Sequence, residues 1–226
     1  MSALLSPSAA VSTPPARRPG KLHAVLRAAG ELFLAEGYAA VSMDMVAKKA
    51  GVSKATLYAH MPSKEALFGE VVARRCNEMT TGITRVAGHD LPLRDAMQRL
   101  GRYWLTFVLS PESLSVFRTV LAEGVRFPDL ARSFYEGGPA RSKAHIREWM
   151  AEEQRRGRLR ADLDPRLAAS QFIALIRGEL YMRVALGMAT DPTEAELAGA
   201  VEPVVELLLR AWATPEALQA APAPSA

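Results

Sequence analysis

Cysteine is almost missing from this chain: Cys76 stands alone among 226 residues. That excludes an internal disulfide framework and fits a reducing cytosol, so the expected location is cytoplasmic. Aromatic residues make up only 7%, and alternating β-branched runs are scarce, which leaves little to build a sheet from. No apolar run approaches the ~18 residues that a membrane span needs, so no membrane partner is expected. The N-terminus reads as lacking a signal peptide, because Arg17 and Arg18 follow the apolar residues instead of preceding them. The four histidines (His23, His60, His89, His145) are scattered, and no two have metal-ligand spacing on one helix face. There is no G-x-G-x-x-G and no phosphate loop, and Cys76 has no evident catalytic partner. Glu152-Glu153 and Asp162-x-Asp164 read as solvated charge. Neither an enzyme nor a metal or other cofactor is expected.

What remains is an all-α chain with 49% hydrophobic residues, long enough for a sizeable core. Its most informative stretch is residues 42–64, S-M-D-M-V-A-K-K-A-G-V-S-K-A-T-L-Y-A-H-M-P-S-K. Ser42, Ser53 and Ser63 sit where N-caps belong, Gly51 where a positive φ would end a helix, and Pro62 where another would stop. Val46, Ala47 and Ala50 give the first short helix one apolar edge, and Val52 plugs the turn. The pattern is a helix-turn-helix, whose second helix is built to enter a DNA major groove. Charge agrees. Residues 17–64 hold eight Lys/Arg against three acids, a local net of +5 in a chain whose total is +4. A phosphate-binding face carries such a footprint, although a merely solvated basic surface would too.

The remainder divides by periodicity and punctuation. Residues 1–20 are Ser/Pro/Ala-rich and read as a disordered basic arm, with Arg17 and Arg18 available to a minor groove. Residues 21–36 form a first amphipathic helix ended by Gly37, with Tyr38 and Val41 packing beneath the next. A fourth helix covers 63–86, with Leu67, Phe68, Val71 and Val72 as its stripe and Arg74 and Arg75 off it. Further helices are predicted over 93–109, 112–123, 129–156 (with an interruption at Gly137-Gly138-Pro139), 165–186 and 193–213, which makes about nine. Thr193 and Glu196 have capping-box spacing, and Pro203 predicts a kink or break in the last helix. A disordered tail is expected over 214–226. The helix-turn-helix unit is assigned to 21–66 and a larger helical bundle to 67–213.

The spacing S-x-x-x-V-A-x-x-A-G-V-S-x-x-T-L-Y-x-H-x-x-S-K-E-x-L over 42–67 closely resembles the DNA-binding signature of the TetR (tetracycline-repressor-like) family. Two positions depart from it: Met61 stands where a bulky aromatic is usual, and Ala55 where glycine is frequent. Residues 117–130, F-R-T-V-L-A-E-G-V-R-F-P-D-L, are similar to one of the common AcrR/AefR-like C-terminal subtypes. The resemblance implies a homodimeric transcriptional regulator, most often a repressor. Its N-terminal unit would bind a palindromic double-stranded DNA operator, and its C-terminal domain a small-molecule effector that releases the DNA.

On the second short helix, Leu57 points inward, so at 100° per residue Ala55 and Ala59 point outward with Thr56 and Tyr58 flanking them. The candidate DNA contacts are Ser42, Ser53, Lys54, Ala55, Thr56, Tyr58, His60 and Lys64. Lys54 suits a guanine edge or a phosphate, Thr56 a phosphate or thymine methyl, and Tyr58, His60 and Lys64 phosphates. The competing reading makes Ser42 and Ser53 simple caps and Tyr58 a core tyrosine. For the effector, Trp104, Phe107, Phe117, Phe127, Phe134 and Trp149 are candidate lining residues for a hydrophobic or aromatic ligand, against ordinary core packing. The last two helices, about 165–187 and 193–213, are apolar over more than one face, which points to a two-fold four-helix interface between subunits or else to a central core pair. Two other functions stay open: a helical ligand-binding protein that no longer binds DNA, and an all-helical enzyme.

Overall fold

The computed structural model describes residues 20–88 and 90–219. The arm bearing Arg17 and Arg18, His89, and residues 220–226 of the tail lie outside the described residues. Among the described residues there are eleven helices: α1 (Lys21–Ala40), α2 (Met43–Ala50), α3 (Lys54–His60), α4 (Lys64–Val86), α5 (Leu93–Leu109), α6 (Pro111–Glu123), α7 (Pro128–Gly137), α8 (Pro139–Arg155), α9 (Pro165–Ala185), α10 (Glu194–Trp212) and α11 (Pro215–Gln219).

Two of these exceed the nine expected. The stretch 129–156 divides at Gly137-Gly138-Pro139, where Pro139 opens α8 as its first residue and cannot continue α7. The short α11 forms where an unstructured tail was expected from residue 214. Two other breaks differ from expectation. Pro203 lies inside α10, which continues past it without the break that was one of the two expected outcomes. Gly178, inside what reads as one continuous helix, adopts φ 28°, ψ −157° and breaks α9 near its middle. Only a residue without a Cβ takes up that backbone easily.

The capping chemistry is local and follows the sequence. Ser42, Ser53 and Ser63 each accept the backbone N–H three residues on, at 3.2, 3.1 and 3.1 Å. Thr193 and Glu196 complete a reciprocal capping box.

The apolar side chains collect into two cores. The first is built on α1–α3 with the first half of α4, and includes Val25, Phe33, Tyr38, Val46, Leu57, Leu67 and Phe68. It also takes in Val120 of α6 and Leu130 of α7, so the larger body closes the base of the N-terminal unit. The second runs from Cys76 and Met79 of α4 through α5, α8, α9 and α10. α4 therefore belongs to both. It meets α7 backbone to backbone: a Cβ on Gly137 would lie 2.7 Å from the carbonyl oxygen of Gly69.

Glu153, read from sequence as solvated charge, is fully buried and paired with Arg158, whose Nη1 donates to the carbonyl of Leu91 at 2.5 Å. The pair anchors the end of α8 to the α4–α5 connection. Beside it, Leu159 and Ala213 form an antiparallel bridge that ties the α8–α9 loop to the end of α10.

Candidate nucleic-acid interface and ligand cavity

The turn between α2 and α3 is made by Gly51 in the left-handed region (φ 67°, ψ 34°), with its N–H directed to the carbonyls of Ala47 and Lys48. Val52 N–H also donates to Ala47 O, at 3.1 Å. This closure sets α3 across α2, and Leu57, with no exposed surface, pins it to the first core. The opposite face carries Lys54, Ala55, Tyr58, Ala59 and His60, all exposed. Tyr58 is 50% exposed, so it is no core tyrosine. Small alanines between longer polar residues let such a face approach base edges closely.

The candidate contacts do not all have free polar groups. Thr56 is half-buried, and its hydroxyl shares a 2.8 Å hydrogen bond with that of Ser53. Lys54 Nζ lies 2.5 Å from Asp44 Oδ2 across the α2–α3 pair, with both side chains exposed. Lys49 is similarly paired with Glu31 at 3.1 Å. Lys48, exposed at the end of α2, has no carboxylate partner among the described residues.

Lys64 is the largest departure from the sequence reading. Its ammonium donates to the carbonyls of Tyr38, Ala39 and Val41 at 2.7, 3.3 and 2.8 Å, which occupies all three of its hydrogens. It also sits 4.2 Å above the Tyr38 ring. The side chain thus closes the C-terminal end of α1, where unpaired carbonyls and the helix dipole favour a cation. Burial pulls its pKa below the usual lysine range, against the opposing pull of Glu65 and Glu123. Next to it the Tyr38 hydroxyl donates to Glu65 Oε1 at 2.8 Å. Burial, with the Glu65 bond and charge, raises the phenol above its ordinary range. Burial alone would raise Glu65 as well, but bonds from its own backbone N–H, Tyr38 and Ser63, with the Lys64 charge, hold it low.

A cavity of about 160 Å³ lies in the larger body, walled by α4 through α9. Of the six candidate ligand residues, Trp104, Phe107, Phe117 and Phe134 line it. Phe127 and Trp149 do not. Phe127 packs edge-on to Tyr38, with ring centres 6.0 Å apart, under the N-terminal unit. Trp149 is buried in the second core and donates its indole N–H to Ala87 O at 3.0 Å. Sequence periodicity missed Arg75, which projects off the apolar stripe of α4 into the cavity wall, and Arg177 and Tyr181 of α9. An arginine and a tyrosine four apart in the mostly apolar run I-A-L-I-R-G-E-L-Y were the available signal. Cys76 also lines the cavity. Its thiol donates to Gly138 O at 3.4 Å, and burial raises its pKa, so it is a poor thiolate. Among the described residues no group of His, Cys, Asp and Glu is arranged to hold a metal, and no single helix is long and apolar enough to cross a membrane.

Comparison with known proteins agrees with this geometry. Residues 25–71 match the family described as bacterial regulatory proteins, tetR family, and residues 95–214 match the AefR-like transcriptional repressor C-terminal domain. The chain is 26% identical over 157 residues to the HTH-type transcriptional regulator SrpR of Pseudomonas putida, covering 70% of this chain and 72% of that protein. Among solved structures it resembles a TetR-family transcriptional regulator from Mesorhizobium loti MAFF303099, with TM-score 0.71 and 30% identity over 86% of this chain and 97% of that one. It also resembles the flavonoid-responsive regulator FrrA, with TM-score 0.68 and 37% identity over 86% and 98% of the two chains.

Replacing Lys64 by methionine keeps the aliphatic stem and removes three charge-assisted hydrogen bonds. The expected cost is about 1–2 kcal/mol, read as a lowered thermal midpoint of the full-length protein. An unchanged midpoint would contradict the closing role given to this side chain.

Proposed function

We infer that this chain, which belongs to the TetR family of DNA-binding bacterial regulatory proteins, works in the cytoplasm as a homodimeric repressor released from its operator by a small molecule. The observation that carries the reading is the outward face of α3, with Lys54, Ala55 and Tyr58 displayed by a helix that Leu57 pins from behind. A helix so mounted, following a Gly51 turn, is the form in which a helix-turn-helix protein enters a major groove. Ser42 and Ser53 offer their hydroxyls, and His60 its ring, to the flanking phosphates. Thr56 takes part through the hydroxyl it shares with Ser53. Lys54 can exchange Asp44 for a phosphate or guanine edge at modest cost, since exposed ion pairs contribute little. Lys64 acts from behind by fixing the end of α1.

Palindromic operators call for two readers. Leu167, Leu175, Met182 and Leu186 of α9 and its C-terminal end, with Leu207 of α10, are exposed apolar residues in the segments 165–187 and 193–213. Two such helices from each subunit would pack as a four-helix interface with two-fold symmetry. The repressor sense is supported by the AefR-like match over 95–214. An aromatic effector is supported by the Trp104, Phe107, Phe117 and Phe134 walls of the cavity and by the similarity to a flavonoid-responsive regulator.

Tyr58→Ala should lower affinity for the DNA flanking the protein's own coding region by roughly tenfold or more, the loss of a contact to charged phosphate, while circular dichroism and thermal midpoint stay as in the parent. Unchanged affinity in a folded variant would remove Tyr58 from the interface. No gel shift of the parent protein at low salt would favour a ligand-binding protein without DNA binding. Leu175→Arg places a charge in the exposed stripe of α9, and sedimentation should then report a monomer where the parent is a dimer. A parent that sediments as a monomer, or a variant that stays dimeric, would contradict the assigned interface.

A further inference from the structure

The charges around the cavity are all of one sign. No aspartate or glutamate lines it, whereas two arginines do, Arg75 from α4 and Arg177 from α9. The Nε of each is buried and has no hydrogen-bond partner. The two differ in what balances them. Arg75 Nη2 lies 3.0 Å from Glu112 Oε2 and donates to Ser110 Oγ at 3.0 Å, so its charge is met by a carboxylate outside the cavity wall. Arg177 has no carboxylate partner among the described residues. Its guanidinium lies 5.6 Å from the centre of the Phe117 ring and 4.7 Å from that of Tyr181. Those rings are in edge contact at 6.0 Å, and Phe134 extends the aromatic wall 6.3 Å beyond Phe117.

Such an arrangement leaves a place for a counter-charge. Arg177 is partly buried with its Nε unpartnered, and ring faces supply only part of what an anion would. Its planar fork is matched by a carboxylate, which accepts two parallel N–H bonds. The aromatic wall beside it suits a flat apolar body. On the reading of this cavity as the effector site, we propose that its ligand is a planar aromatic acid whose carboxylate pairs with Arg177 while its ring system lies against Phe117 and Phe134. The Tyr181 hydroxyl oxygen is engaged by Arg177, which leaves its own proton to donate to the acid. Gly178, where α9 breaks, follows Arg177 directly, so the acid would be read at the one point where this helix departs from regular geometry.

The test compares two molecules of nearly equal shape, naphthoate and naphthamide, titrated into the full-length protein by calorimetry, with Trp104 in the cavity wall giving a fluorescence signal. Naphthoate should bind about tenfold or more tighter than naphthamide, the difference expected for a charged hydrogen-bonded group. Arg177→Gln should abolish that preference, bringing the two affinities together. Arg177→Lys should retain part of it, and Arg75→Gln should change it less than Arg177→Gln does. If the parent protein binds naphthamide as tightly as naphthoate, the cavity takes neutral aromatics: the acid proposal falls and the effector reading stands. Binding of neither molecule at millimolar concentration overturns the proposal and the aromatic effector reading together. A folded Arg177→Gln protein that keeps the full preference overturns the assignment to this arginine. The comparison in the parent protein needs no variant to fold.

Discussion

The N-terminal unit that carries the reading helix is tied to the larger body through Tyr38. Its ring is stacked on Phe33 and meets Phe68 and Phe127 edge-on, at 5.7, 5.4 and 6.0 Å between centres. Its hydroxyl reaches Glu65, and the carbonyl and ring face are both engaged by Lys64. One residue thus joins α1, the start of α4 and the base of the larger body. Tyr38 itself is buried while Lys64 and Glu65 are partly so, and burial raises the phenol and lowers the ammonium. In such surroundings hydrogen bonds are strong and a missing partner is expensive. A buried knot of this kind admits few geometries, which is what a helix held at a fixed angle to DNA requires.

α4 carries that constraint away from the reader. Its first turns, with Leu67 and Phe68, are packed in the N-terminal core, and its later turns present Arg75, Cys76 and Met79 to the cavity. A helix is stiff along its axis, and its close approach to α7 at Gly69 and Gly137 leaves little room to slide. A ligand that alters the cavity wall therefore acts on the same rigid element that holds Tyr38. On the far wall, Arg118 of α6 donates to the carbonyls of Val184 and Ala185 at 2.9 and 3.0 Å, joining the cavity to the end of α9. That helix presents the exposed leucines assigned to the partner subunit. Reader and cavity thus share α4, and the cavity shares α9 with the proposed pairing face.

The parts of this arrangement that could be read from the sequence are those whose causes are local. Serine caps, the Gly51 turn, the inward Leu57 and the outward Tyr58 depend on neighbours within four residues, and each stands where spacing puts it. Lys64, Phe127 and Arg177 could not be placed in this way. The acceptors of Lys64 lie 23 to 26 residues upstream, and Phe127 meets a ring 89 positions away, so their roles exist only once helices pack. Lys64 looked like a phosphate ligand because it is basic and stands at a helix start. Glu153 looked solvated because it sits in a charged run, while its partner Arg158 belongs to the loop that folds back on it. Periodicity also cannot show a helix that breaks within an apolar stretch, as α9 does at Gly178, or one that holds through a proline, as α10 does at Pro203.

The central claim is that the exposed face of α3 docks on the phosphates and bases of double-stranded DNA. Fluorescence anisotropy of a labelled duplex from the DNA flanking the coding region, repeated across salt concentrations, tests it most directly. The account predicts that log K falls linearly with log salt, by about 0.9 for each phosphate contacted. Binding that is insensitive to salt, or absent at low salt, would contradict it.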